Sequence, residues 1–143
     1  MARQKNALRG HFIAPVTDPK TEPDKSAYKE LAKWIEDVDD DTDEATTSVA
    51  YYDGDGTEET TVTSVKGSYT FKGTYDNADE AMALIAGLKY KLGNDRLVWH
   101  KVVDSDGKNQ HVGIATVSAI KAGSGAAANY EEFACKISYN SLP

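Results

Sequence analysis

The chain has 143 residues, 40% of them hydrophobic, which suffices for one core and predicts a single domain over residues 1–143. Its 16 Lys and Arg against 23 Asp and Glu give a formal net charge of −7, which argues against a protein that grips nucleic acid mainly through cationic contacts. A single cysteine excludes an intrachain disulfide or a multi-cysteine zinc site, and no apolar run approaches the roughly 20 residues that span a bilayer.

The first third of the chain is predicted as a strand, a connector and a short helix. The strand covers residues 8–14, and an irregular connector follows over residues 15–26, because its three prolines cannot donate to a ladder. Residues 26–36 are ambiguous between helix and strand. The spacing of Tyr28, Leu31 and Ile35 behind a serine favours a short helix.

Acidic residues are concentrated in residues 36–59, which hold 11 Asp and Glu and no Lys or Arg. We predict a long acidic loop around residues 37–59, with a β-like stretch at 46–52 and a turn at 53–56 that leads into a hairpin. The segment does not match an EF-hand calcium loop. Counted from Asp37, Thr42 occupies the position of the required glycine and Ser48 that of the bidentate glutamate. A solvated loop is therefore the simpler interpretation, and a cation site is the alternative.

The next segment alternates with a period of two and then changes to a helical period. Residues 65–75 predict a strand with Val65 and Phe71 on its buried face and Ser68 on its solvated face. Asn77 and Glu80 form a capping box for a helix. Gly93 suits the position after its end. The predicted apolar face of this helix comprises Ala81, Leu84, Ile85, Leu88 and Leu92.

The last third of the chain is predicted as three strands. Residues 96–103 and 111–120 flank a turn at 104–107 and form a hairpin, and the third strand covers residues 130–140. Six or so strands with one helix indicate a mainly β fold, an antiparallel β-sandwich or barrel with one flanking α-helix. The inward side chains of the final strand are predicted to be Phe133, Cys135, Ile137 and Tyr139.

The sequence offers no catalytic arrangement. Residues 123–128 are glycine- and alanine-rich, but too little chain follows for a dinucleotide-binding unit. His11, His100 and His111 are isolated, although the hairpin could bring His100 and His111 together. Two histidines without a third ligand or a nucleophile make a weak metal or catalytic site. We predict no catalytic residue, no cofactor, no metal and no enzymatic activity.

The order of these elements resembles the major tail tube protein of long, non-contractile-tailed bacteriophages, the siphophage major tail protein. The resemblance lies in the acidic segment running into residues 48–56, the strand at 64–73, and residues 76–80 leading into the single helix. A hairpin and a terminal strand follow in the same order. The resemblance covers nearly the whole chain.

The resemblance implies a phage tail-tube-like fold, a β-sandwich-like barrel flanked by one helix. Six copies would form a ring, and rings would stack into a negatively charged conduit for genome ejection. The implied partners are further copies of the chain, the tape measure protein, the tail terminator and distal tail proteins, with transient passage of double-stranded DNA and no membrane. The implied location is the virion, after assembly in the host bacterial cytoplasm.

Two sets of assembly residues follow from this hypothesis. The two terminal strands are expected to be subunit edges, represented by Phe12, Ile13, Ile137 and Tyr139. Contacts between rings are expected from Asp37, Asp39, Asp40, Asp41, Asp43, Glu44, Asp53, Asp55, Glu58 and Glu59.

The alternative function is a small monomeric β-sandwich module that binds calcium or carbohydrate.

Overall fold

The computed structural model describes residues 3, 5, 8–17 and 20–140. Within these residues the fold is mainly β and antiparallel with one α-helix, α1 (Glu80–Ala86), which confirms the predicted fold class. Seven strands form one sheet in the order β2-β1-β7-β8-β9-β6-β3, and β4 pairs with β5. The strands are β1 (Gly10–Pro15), β2 (Lys29–Glu30), β3 (Ile35–Asp40), β4 (Asp43–Val49), β5 (Glu59–Lys66), β6 (Ser68–Thr74), β7 (Leu97–Val103), β8 (Gln110–Ala122) and β9 (Glu132–Tyr139).

The seven-stranded sheet curls strongly. Three strands separate β1 from β6 within the sheet. The ring centroid of His11 on β1 nevertheless lies 5.1 Å from that of Tyr69 and 5.0 Å from that of Phe71, both on β6. The right-handed twist of neighbouring strands accumulates across a sheet and brings distant strands face to face. The inward side chains of all the central strands therefore share one core, while β2 and β3 are the free edges.

The helix α1 covers this core. Asp79 is its N-cap, and the Asp79 side chain accepts a hydrogen bond from the backbone N–H of Met82 at 3.3 Å. The predicted cap at Asn77 is therefore wrong by two residues. Met82 is fully buried, whereas Leu92 lies beyond the end of the helix at Ala86 and is exposed.

The predicted short helix at residues 26–35 is also wrong. A 3-10 turn (Lys25–Ala27) precedes β2, and Leu31 N–H donates to the carbonyl of His11 at 2.8 Å. Pairing with β1 satisfies the backbone groups that a helix would have satisfied internally, so tertiary contact outweighs the local pattern. The connector before this turn is irregular as predicted, although its residues 18 and 19 lie outside the described residues.

The two terminal strands are not sheet edges. Phe12 and Ile13 pair with β7 on one side and with β2 on the other. Ile137 and Tyr139 lie on β9, which runs between β8 and β6. Strands β1 and β9 carry many of the buried side chains. A strand with so many core residues is more stable when it pairs with a neighbouring strand on each side. The prediction of edges at both ends of the chain is therefore corrected to β2 and β3.

The predicted strand at residues 65–75 is interrupted at Gly67. A Cβ atom at this position would lie 2.7 Å from Cδ2 of Tyr139, so the close approach requires glycine. Before Gly67 the chain belongs to β5, which lies outside the seven-stranded sheet, and Val65 is exposed rather than buried. Ser68, expected on the solvated face, is buried against Ser138 at 3.3 Å. Phe71 is fully buried, as predicted.

Cys135 lies in the core between β8 and β6, and burial raises the pKa of its thiol to about 12. We expect Cys135→Ser to lower the free energy of unfolding by about 1–3 kcal/mol, because the hydroxyl would be buried without a suitable partner. Urea unfolding measures this change. We expect Cys135 of the native protein to react with a thiol reagent far more slowly than the exposed cysteine of the double variant Cys135→Ser, Thr61→Cys. Equal reaction rates would contradict the buried position of Cys135.

Candidate assembly surface

The most distinctive surface feature is a hairpin that projects from the sheet, here called the arm (residues 43–66). Strands β4 and β5 pair from Asp43 opposite Lys66 to Val49 opposite Glu59. Every residue of both strands is exposed, and among the described residues these two strands pair only with each other. Seven residues at ~3.4 Å each carry the arm about 24 Å beyond its base.

The arm continues the pair of β3 and β6, and Asp41 anchors its base. Asp41 N–H donates to the carbonyl of Ser68 at 3.1 Å, and the Thr70 hydroxyl donates to Asp41 Oδ2 at 2.9 Å. The Lys136 ammonium lies 3.7 Å from the same oxygen. Partial burial opposes ionisation, but these donors and the cation together lower the pKa of Asp41. Asp41 thus stabilises the backbone at the point where the arm leaves the seven-stranded sheet.

Hydroxyl-bearing and valine side chains predominate on both strands of the arm. A bulge between Ala45 and Thr46 shifts the register of the two strands, and the hydroxyl groups of Ser48 and Thr60 are in contact at 2.9 Å. An isolated two-stranded hairpin is at best marginally stable in water. A partner bound on the arm would cover this exposed apolar surface. Its exposed large apolar residues are Val49, Tyr51, Tyr52, Val62 and Val65.

The arm tip (residues 50–58) presents aromatic rings beside carboxylates. A tight turn is closed by a hydrogen bond from Gly54 N–H to the carbonyl of Tyr51 at 3.1 Å. Thr57 N–H donates to Asp55 Oδ1 at 2.9 Å, and hydrogen bonding from Thr57 lowers the pKa of Asp55. Tyr52 is fully exposed. The tip is therefore an ordered turn that carries negative charge next to apolar rings.

The ten acidic residues predicted as ring contacts do not form one loop. Residues 37–59 are mostly strand, because β6 pairs with β3 in their first part and β5 pairs with β4 in their second. The carboxylates are thereby spread along the β3 edge, the arm and its tip. Within residues 8–17 and 20–140 and at residues 3 and 5, no group of three or more His, Cys, Asp or Glu side chains could hold a metal ion. The ten acidic residues lie on β3 (Asp37, Asp39, Asp40), at the arm base (Asp41), on the arm strands (Asp43, Glu44, Glu59) and at the tip (Asp53, Asp55, Glu58).

A buried chain of hydrogen bonds was not predicted from the sequence. Nε of Arg9 donates to Nε2 of His11 at 3.3 Å, so the proton of His11 is on Nδ1, which lies 3.4 Å from Nε2 of His100. The proton of His100 is then on Nδ1 and is donated to the Tyr139 hydroxyl at 2.6 Å. Arg9 therefore sets the tautomer of both histidines.

Burial keeps both rings uncharged at neutral pH. It lowers the pKa of His11 to about 4, with a further contribution from Arg9, and the pKa of His100 to about 3. The hairpin does not place His100 opposite His111, because Gly113 lies opposite His100 and the exposed His111 lies opposite Val102. His11 and His100 are 89 residues apart and meet only through sheet order, which no local pattern reveals.

The described residues contain no helix that is long and apolar enough to cross a bilayer. Their architecture is that of a curled antiparallel sheet closed by one helix, with a protruding hairpin. No family model and no curated protein matches the sequence.

A solved structure shares this architecture. It is a chain described as "Tail of empty GTA particle computed with helical refinement, C6 symmetry", with a TM-score of 0.69 and 11% sequence identity. The match covers 98% of this chain and 96% of the other. At this identity the similarity establishes the fold.

Proposed function

We propose that this chain is a structural subunit of a phage-like tail, in which six copies form a ring and rings stack into a tube. The observation that carries the proposal is the arm, a hairpin whose strands of seven and eight residues are exposed throughout and, in the part of the chain that the structure describes, pair only with each other. Such a hairpin requires a partner for stability. A neighbouring subunit provides one.

The fold supports this assignment. The similar chain belongs to a tail refined with C6 symmetry, and the match extends over almost the full length of both chains. In our proposal this chain adopts the same six-fold arrangement, and its role is structural rather than enzymatic. Lateral contacts fall to the free edges β2 and β3. Tape measure, tail terminator and distal tail proteins are the further partners that the resemblance implies.

The net charge is consistent with a conduit for DNA. A subunit with a formal charge of −7, repeated six times in each ring, surrounds the lumen with a negative field. Such a field repels phosphate groups weakly and evenly, so that a duplex passes without binding. Contacts between rings would then have to overcome repulsion between like-charged subunits.

Purified protein should therefore assemble more readily as the salt concentration rises. The Debye length falls from about 8 Å at physiological ionic strength to about 3 Å at 1 M, which screens the repulsion between subunits. Light scattering and negative-stain electron microscopy across protein and salt concentration measure the effect. Rings and tubes are expected. A strict monomer in every condition would overturn the proposal, and a melting temperature that rises with calcium or a carbohydrate would then favour the binding module.

A further inference from the structure

We propose that the arm tip of one copy docks on the basic loop (residues 89–92) of a neighbouring copy. The inference rests on the proposed function, because it names the surface that receives the arm. The basic loop follows α1 and contains Lys89, Tyr90, Lys91 and Leu92. Tyr90 is 90% exposed and Leu92 is 83% exposed, so both apolar side chains project into solvent.

The basic loop is held in place rather than left free. Arg96 donates from Nε to the carbonyl of Lys91 at 2.8 Å and from Nη2 to the carbonyl of Lys89 at 2.5 Å. Its Nη1 donates to the carbonyl of Val117 on β8 at 3.3 Å. One guanidinium therefore fixes the loop backbone to the sheet. A preorganised loop loses less conformational entropy on binding than a mobile one.

The arm tip and the basic loop are complementary in charge and alike in apolar character. The tip places Tyr51 and Tyr52 beside carboxylates, and no Lys or Arg occurs between Lys33 and Lys66. In the basic loop two lysines flank Tyr90. Ring-to-ring contact between tyrosines would bury apolar area, and lysine ammonium groups attract both carboxylates and aromatic faces. Opposite charges at the rim would fix the orientation of the contact.

The contact must form between copies. The arm strands are exposed along their whole length, and Tyr90 and Leu92 are also exposed, so neither surface covers the other within one chain. The two surfaces are different parts of the molecule, and a contact between them is heterologous. Heterologous contacts repeat from copy to copy and so produce rings or open-ended stacks.

Other exposed apolar residues fit the acidic tip less well. Tyr130 is 87% exposed but adjoins Glu131 and Glu132, which would repel the tip. Leu8 is 59% exposed beside Arg9, but Nε of Arg9 is already bonded to His11. Among the residues that the structure describes, only the basic loop combines two apolar side chains this exposed with two neighbouring lysines.

Disulfide trapping tests the pairing directly. The variant Tyr52→Cys, Leu92→Cys should form covalent ladders in oxidised assemblies, and the buried Cys135 will not interfere. The matched controls are Tyr52→Cys combined with Tyr130→Cys or with Leu8→Cys, and both should remain largely unlinked. Ladders from a control pair, with none from Leu92→Cys, would overturn the inference while leaving the tube proposal intact.

Charge reversal provides the second test. Lys89→Glu with Lys91→Glu should reduce assembly by about tenfold relative to the wild-type chain, since like charges would then face each other. Lys72→Glu with Lys108→Glu changes the net charge equally at exposed sites elsewhere and should have a much smaller effect. Adding Asp53→Lys and Glu58→Lys to the loop variant, which leaves the hydrogen bond from Thr57 N–H to Asp55 in place, should restore assembly.

The outcomes separate the two hypotheses. If wild-type protein forms tubes and the loop variant assembles as well as its Lys72 and Lys108 control, the basic loop is not the receptor and the tube proposal stands. If wild-type protein never assembles at any concentration or salt, both proposals are wrong.

Discussion

Removing the arm should abolish assembly while the rest of the fold remains intact. The variant replaces residues 44–65 by Asn-Gly, so that Asp43 and Lys66, which lie opposite each other, flank a two-residue hairpin turn. All of the buried core lies outside the deleted residues, so the free energy of unfolding should change by less than about 1 kcal/mol. Assembly should fall by about 100-fold or more, because about 2.7 kcal/mol of contact free energy already gives that factor.

Circular dichroism with urea unfolding reports on the fold, and light scattering with electron microscopy reports on assembly. The deletion removes five acidic residues and no basic one, which takes the formal charge from −7 to −2. Weaker repulsion by itself would promote assembly, so a loss of assembly is attributable to the missing contacts. Tyr130→Ser, a change at an exposed aromatic outside the arm, is the control. Tubes formed by the deletion variant at wild-type concentration would contradict the role of the arm.

The second large effect is a loss of stability in mild acid that originates at the buried histidines. In the unfolded chain a histidine has a pKa near 6.5, whereas burial lowers the pKa of His11 to about 4 and that of His100 to about 3. Between about pH 4 and pH 6.5 the unfolded chain binds more protons than the folded chain. The stability contributed by the two uncharged histidines is therefore fully present above about pH 6.5 and is lost as the pH falls. At pH 5 each histidine accounts for a loss of ~2 kcal/mol.

Urea unfolding at pH 7, 6 and 5 measures this dependence. His100→Gln removes one of the two buried titrating groups and should reduce the fall between pH 7 and pH 5 by ~2 kcal/mol, even if the variant is less stable at pH 7. His111→Gln is the matched control, because His111 is exposed and lies outside the hydrogen-bond chain. A pH dependence that is the same in wild-type protein and in His100→Gln would show that the buried pair is not responsible.

The candidate surface could be only partly predicted. The concentration of acid in residues 36–59 and the turn at 53–56 are visible in the sequence, and the turn does join two strands. The exposure of both arm strands is not visible, because a run of Thr and Val is equally typical of a half-buried strand. The basic loop was missed because Leu92 continues the helical spacing, whereas the helix ends six residues earlier.

The sequence by itself determined the features that depend on local periodicity. Alternation over β9 placed Phe133, Cys135 and Ile137 in the core, and turn residues between β7 and β8 fixed that hairpin. These patterns are decided by neighbours a few residues apart, where side-chain direction follows backbone geometry. The acidic balance is likewise a property of composition.

Only the tertiary structure decided which strands are neighbours and which surfaces remain uncovered. Sheet order brought His11 and His100 together and placed β1 and β9 inside the sheet, leaving β2 and β3 at its edges. In the part of the chain that the structure describes, the same order left the two arm strands paired only with each other. Strand order depends on contacts between residues far apart in sequence, whose combined burial decides among many pairings that local patterns allow equally.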